Sequence, residues 1–180
     1  MDNLGFFFLI FGLNNQNNFL DSLMIFGAEY VIYISFALIF VLAFRGQIKE
    51  RKALILVCLS IPIVVLMIKF IHLFLFEPRP YIAQDISPLI PDTKEDASFP
   101  SRHTALMFTL AFSYFFYQSK WRFHFLIMAL WVSLSRIFVG VHYPLDIIGG
   151  IMTAFVSVFI AWKIKEKLKR GLGLNQSLQS

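Results

Sequence analysis

Residues 53–76 read ALILVCLSIPIVVLMIKFIHLFLF, and only Lys69 and His72 in this run can carry charge. At about 1.5 Å of rise per residue, a helix of that length crosses the ~30 Å hydrocarbon core of a bilayer. Working outward, four further apolar stretches repeat the pattern: 22–44 upstream, then 102–118, 123–141 and 145–162. The stretch 102–118 is short for a span. Leu4–Leu13 is too short to cross and reads as an interfacial helix, followed by the polar run Asn14–Asn18; Asp21 or Ser22 is expected to cap the first span. The expected fold is therefore all-α, a polytopic membrane bundle of about five transmembrane helices plus a short N-terminal interfacial helix. It reads as one domain over 1–180, with 171–180 a flexible cytoplasmic tail.

Composition agrees. Hydrophobic residues make up 58% of the 180, charged residues 15% and aromatics 17%, with 22 phenylalanines. Mean hydropathy is +0.69. Soluble domains carry about 25% charged residues, so an ordinary soluble enzyme is excluded, as is a disordered chain. The single cysteine, Cys58, excludes an internal disulfide and a cysteine metal cluster, and reads as a small packing residue. The N-terminus has no basic segment, so no cleavable signal peptide is expected.

The net charge of +5 is a matter of position. Arg45, Lys49, Arg51 and Lys52 lie between spans one and two, and Lys120 and Arg122 between three and four. Lys163, Lys165, Lys167, Lys169 and Arg170 follow span five. These segments hold 11 of the 16 basic residues and two of the 11 acids. Five spans put all three on one side, which the positive-inside rule makes the cytoplasm. The N-terminus, the 77–101 loop and the 142–144 turn then face outward, and Glu77, Asp85, Asp92, Glu95 and Asp96 crowd that loop. The basic residues read as a topology signal and an anionic-lipid contact, and nucleic acid is not an expected partner. Trp121 and His124 read as cytoplasmic interface anchors, and Gly149-Gly150 as a close helix contact.

Ionisable residues inside a bilayer are rare and usually functional. Here they gather toward the outward ends: Lys69, His72 and Arg79, then Ser101, Arg102 and His103, then Ser135 and Arg136, then His142 and Asp146. Guanidinium groups present forked donors that match phosphate oxygens. Histidine serves as nucleophile, acid or base near neutral pH. Asp146 is the only acid of the set, and no carboxylate pair or histidine cluster has metal spacing. The set reads as metal-independent phosphoryl chemistry, with no metal or other cofactor and activity that survives chelators. Ser101 fits an N-cap, at a helix start whose N–H groups suit an anion. Pro144 fits a first helical position, which makes Tyr143 the cap and Asp146 the third helical residue. Asp146 can then reach back toward His142, fixing one imidazole nitrogen and leaving the other free to attack phosphorus. Attack would give a phosphohistidine that water hydrolyses. Glu29 lies within the first span and reads as a structural or interfacial residue, with Lys69 as a candidate partner.

At these residues the chain resembles the type-2 phosphatidic acid phosphatase superfamily, whose motifs are Lys-x6-Arg-Pro, Pro-Ser-Gly-His and Ser-Arg-x5-His-x3-Asp. The third motif is complete in Ser135, Arg136, His142 and Asp146. The second stands as Pro100-Ser101-Arg102-His103, and the first ends in Arg79-Pro80. The motif region covers about 69–146. Two positions depart from the pattern. His72 stands where the family lysine belongs, with Lys69 one helical turn earlier; either contacts phosphate, or neither does. Arg102 replaces the motif glycine, and either adds a phosphate contact or points to water. The wording Phe76-Glu77-Pro78-Arg79-Pro80, Leu89-Ile90-Pro91 and Ala97-Ser98-Phe99-Pro100-Ser101 looks like the bacitracin-resistance type of undecaprenyl-diphosphate phosphatase.

The resemblance implies His142 as nucleophile, Asp146 as its orienter and His103 as the acid that protonates the leaving lipid phosphate. It implies Arg79, Ser101 and Arg136 as phosphoryl-oxygen ligands. It further implies a polyprenyl diphosphate substrate with its chain between or beside the helices, and a role in carrier-lipid recycling for the cell wall. The site would be on the outer face of a multi-pass plasma-membrane protein with its C-terminus in the cytoplasm. No obligate protein partner is expected beyond membrane lipids. The rival enzyme reading is a phosphomonoesterase on phosphatidic acid or phosphatidylglycerophosphate. The rival outside enzymes is a lipid transporter or binding module.

Overall fold

The computed structural model describes residues 2–91 and 97–171. Asp92, Glu95, Asp96 and the tail beyond Gly171 lie outside the described residues. Helices α1 (Asn3–Phe11), α2 (Asn18–Glu29), α3 (Val31–Arg45) and α4 (Ile48–Phe74) lead to a short α5 (Pro80–Ala83). Then come α6 (Arg102–Phe116), α7 (Arg122–Phe138) and α8 (Pro144–Gly171). Among the described residues all regular structure is helical, as expected.

Helix α6 is the axle. It packs against α4, α7 and α8 at once. Its buried residues, among them Ala105, Met107, Phe108, Leu110, Ala111 and Tyr114, point in every direction around the helix. A helix apolar on all sides belongs in a bundle interior. Lipid tails are as apolar as leucine, so the helices associate through close packing of small residues. Ala105, Ala111, Ala129, Ala154 and Ala161 are fully buried and supply that surface. Buried hydroxyls bond back along their own helices, as in Ser60 to the Leu56 carbonyl (2.7 Å) and Ser157 to that of Thr153 (2.7 Å). The phenylalanine excess is turned outward: Phe40, Phe44, Phe70, Phe74, Phe155 and Phe159 are all exposed.

The spans differ from the sequence expectation in three ways. Helices α4 and α8 are each long and apolar enough to cross a membrane. Residues 22–44 do not form one straight helix, because α2 and α3 meet at a 53° bend and together pass as one broken span. Helices α6 and α7 have 15 and 17 residues, about 22 and 26 Å. They are shorter than a full crossing; α6 is surrounded by α4, α7 and α8, whereas α7 packs on α6, α2, α1 and α3. The α2 cap is neither Asp21 nor Ser22: Asn17 begins the helix a turn earlier, its Oδ1 accepting from Phe19 N (2.9 Å) and Leu20 N (3.2 Å). Asp21 is buried and accepts from Asn15 N instead. Cys58 lies exposed on α4 rather than packed.

The three basic segments share one end of the bundle. Lys49 Nζ donates to the Gln118 carbonyl (3.4 Å), the buried Glu50 accepts from Ser119 Oγ (3.0 Å), and Lys165 Nζ hydrogen-bonds the Tyr117 hydroxyl. The Trp121 and His124 rings lie nearby, tilted to one another with centroids 5.0 Å apart. The polar set singled out in the sequence lies at the opposite end.

Candidate active site

The third motif takes its geometry from the end of α7. Val141 N donates to the Arg136 carbonyl (3.2 Å) and Gly140 N to that of Ile137 (3.0 Å). This is the paired-bond turn with which helices end on a left-handed residue, and Gly140 supplies it with φ of +87°. The five residues between Arg136 and His142 are thus one helix end plus one turn, which reverses the chain and delivers His142 beside the start of α8.

The start of α8 holds the imidazole. Asp146, third in the helix, reaches back as in a capping box. Its Oδ2 accepts from Tyr143 N (2.8 Å) and lies 3.2 Å from His142 Nδ1. Asp146 is fully buried and His142 is 2% exposed. The cap expected at Tyr143 is completed from α1, where Asn3 Oδ1 accepts from Leu145 N (3.0 Å). Phe7 of α1 is also fully buried, 5.3 Å from the Tyr143 ring. The N-terminal helix therefore packs over the bundle beside the site.

The second motif joins this pair directly. Ser101 caps α6, its Oγ accepting from Thr104 N (3.5 Å), while its own N–H donates to the Asp146 carbonyl (3.0 Å). The approach needs Gly150: a Cβ there would stand 2.8 Å from the Ser101 oxygen and 3.0 Å from Thr104 Cβ. Arg102 and His103 follow in the first turn of α6, both half-buried. Thr104 and Ser133 hydroxyls (3.1 Å) pin α6 to α7 just below.

The arginines flank this centre. Arg79, 2% exposed, caps α5 and lies near enough to Asp146 to interact electrostatically. Arg136, 6% exposed, donates from Nη1 to the Ala28 carbonyl in the last turn of α2 (3.5 Å). That carbonyl belongs to a helix end, where a cation is favoured. Lys69 is exposed on α4 and His72 half-buried one turn on. Among the described residues no ion pair joins Lys69 to Glu29, so that expected partnership does not form.

Two residues were not assigned a role from sequence. Ser98 is fully buried; its Oγ donates to Asp146 Oδ2 and lies 3.4 Å from His142 Nδ1. Its N–H donates to the Glu77 carbonyl (2.8 Å). A lone serine in a loop carries no local signal for this. Glu77 is held above the ordinary carboxylate value by partial burial and by the Asp146 charge. Burial likewise raises the Tyr143 hydroxyl, against a hydrogen bond from Gln84 that lowers it. Next to Glu77 opens an apolar groove of about 610 Å³ between α4 and α8, lined by Ile71, Leu75, Phe76, Phe99, Ile148 and Met152 among others.

A family model described as the PAP2 superfamily matches residues 53–170. The chain is 35% identical over 169 residues to a Bacillus subtilis (strain 168) protein named undecaprenyl-diphosphatase BcrC, covering 93% of this chain and 86% of that one. It is 33% identical over 155 residues to an undecaprenyl-diphosphatase of Sulfolobus acidocaldarius, covering 82% and 73%. The crystal structure of Aquifex aeolicus LpxE superposes with a TM-score of 0.65 at 28% identity, over 89% of this chain and 94% of that one.

Proposed function

The chain belongs to the PAP2 superfamily, and from that premise we propose that it hydrolyses undecaprenyl, or another polyprenyl, diphosphate to the monophosphate and inorganic phosphate. The observation that carries the reading is the buried His142–Asp146 pair, 3.2 Å apart, next to two buried arginines and an apolar groove. Asp146 occupies Nδ1, so Nε2 is the atom left to attack. Its lone pair bonds the terminal phosphorus as the bridging P–O bond breaks. His103 protonates the departing lipid monophosphate. Arg79, Arg136 and Ser101 hold the three equatorial oxygens, where negative charge is spread in the transition state. Water then cleaves the phosphohistidine, freeing phosphate and restoring the imidazole. The chain of the substrate lies in the α4–α8 groove, whose wall is nearly all hydrocarbon.

The site lies at the end of the bundle opposite the basic segments, so the positive-inside rule assigns it to the outer membrane face. A diphosphate carrier released there after glycan transfer would meet the site directly. The diphosphate substrate is supported by the undecaprenyl-diphosphatases among the relatives.

A phosphate-release panel tests it. Purified protein is offered a polyprenyl diphosphate and, separately, phosphatidic acid and phosphatidylglycerophosphate, with folded His142→Ala as control. The diphosphate should be turned over fastest and the variant should be inactive. Faster release from the glycerophospholipid monoesters would overturn the substrate, and turnover by His142→Ala would overturn the nucleophile.

A further inference from the structure

We infer that Ser98 is a positioning residue for the His142–Asp146 pair, acting on the reaction proposed above through the carboxylate and not through the substrate. The inference rests on three contacts. Ser98 Oγ donates to Asp146 Oδ2, the same oxygen that faces His142 Nδ1 and Tyr143 N. Ser98 Oγ also stands 3.4 Å from His142 Nδ1, so one hydroxyl touches both members of the pair. Its backbone N–H is tied to the Glu77 carbonyl (2.8 Å), two residues before Arg79.

A carboxylate on a short side chain can rotate about its last bond. Of the partners of Oδ2 named above, Tyr143 N and His142 Nδ1 come from the segment that runs straight into Asp146's own helix. Ser98 comes from a distant part of the chain, the loop that leads into α6, and holds the carboxylate oxygen from there. With Oδ2 held, the Nδ1 proton stays on the Asp146 side and Nε2 keeps its lone pair toward the phosphate. The Ser98 hydroxyl is committed to Asp146 Oδ2 and lies on the Nδ1 side of the His142 ring, away from the Nε2 atom that faces substrate. Its effect must therefore appear in the chemical step and not in binding. The tie to Glu77 adds a second consequence: the segment that leads to Arg79 is joined to the loop that carries Ser98. Hydrogen-bond partners behind a reacting group decide how tightly it is held.

The test uses the full chain in detergent and two independent readouts. The first is ring-nitrogen NMR of His142, assigned by its loss in His142→Gln. The wild type should show one tautomer with the proton on Nδ1, and Ser98→Ala a mixed or shifted signal. The second is kinetics on farnesyl diphosphate, where Ser98→Ala should lower kcat about tenfold or more with KM little changed. Ser98→Thr, which keeps the hydroxyl, should recover most of both. An unchanged imidazole signal together with unchanged kcat overturns the inference, and so does a change confined to KM. If the wild type leaves farnesyl diphosphate intact while the Ser98→Ala signal still shifts, the positioning role stands and the substrate reading fails.

Discussion

Replacing Gly150 with alanine presses on the seam between α6 and α8, where the two motifs meet. The new methyl would stand 2.8 Å from the Ser101 carbonyl oxygen, 3.0 Å from Thr104 Cβ and 3.2 Å from Ala105 N. Carbon–oxygen contacts settle at about 3.3–3.6 Å, so the seam must open by about 0.5 Å. Two of the three obstructing atoms are backbone, and no rotamer change relieves them. The Ser101 N to Asp146 O bond, now 3.0 Å, would stretch to about 3.5 Å, the limit of a useful hydrogen bond. A misplacement of about 1 Å can cost 100-fold in rate, so half of that corresponds to about tenfold in kcat, or ~1.4 kcal/mol. Overpacking adds about 1–3 kcal/mol of lost stability. Initial-rate phosphate release from farnesyl diphosphate measures the first quantity, and thermal unfolding in the same detergent the second. Gly171→Ala is the matched control, because nothing lies within 4 Å of its added Cβ. A Gly150→Ala enzyme with kcat within about twofold of wild type would refute the claim that this seam sets the distance between the phosphate cap and the nucleophile's partner.

Gly140→Ala combines a left-handed alanine, about 1–2 kcal/mol, with a Cβ 2.7 Å from the Phe11 ring; a lowered Tm and reduced kcat are expected, and an unchanged Tm would contradict the strain. Glu77 binds its proton more tightly in the fold than in the free chain, so its contribution to stability falls as pH rises above 4.5 through its raised pKa. Glu77→Gln should remove that loss and lower KM for an anionic substrate near pH 7, where repulsion at the groove is then absent; a KM unchanged across the pH range would count against it. Glu50→Ala leaves Ser119 Oγ without its carboxylate, at an expected cost of about 1–3 kcal/mol. Because Glu50 lies at the far end of the bundle, kcat should be unaffected at temperatures where the variant is folded.

The third motif was legible because its spacing is local geometry: a helix end, one glycine turn, a proline start and a carboxylate three residues in. Ser101 as a cap and Gly150 as a close contact were readable for the same reason. What escaped depends on distant chain segments. Ser98 meets Asp146 across 48 residues, Glu50 meets Ser119 across 69, and Asn3 caps a helix that begins 141 positions later. The bend at Glu29–Tyr30 has no proline to announce it; it comes where α2 turns from packing on α7 to let α3 pack on α4. The 102–118 stretch was expected to be short and is; 123–141 was overread, because its apolar run continues past the end of α7 into the turn where Val139 and Val141 are buried.

Helix α8 has 28 residues, about 42 Å, and carries Asp146 in its first turn and its lysines from Lys163 onward. Seventeen residues, about 26 Å, separate the two. It is a rigid strut with the orienting carboxylate at one tip and a cationic collar at the other. Anchoring the collar among lipid headgroups on one surface sets how high the imidazole stands above the other. A bilayer several ångströms thicker than the strut's apolar length would draw the histidine below the headgroup plane where the proposed diphosphate substrate lies. On the proposed orientation, acyl-chain length, with no contact to the site, is expected to alter turnover.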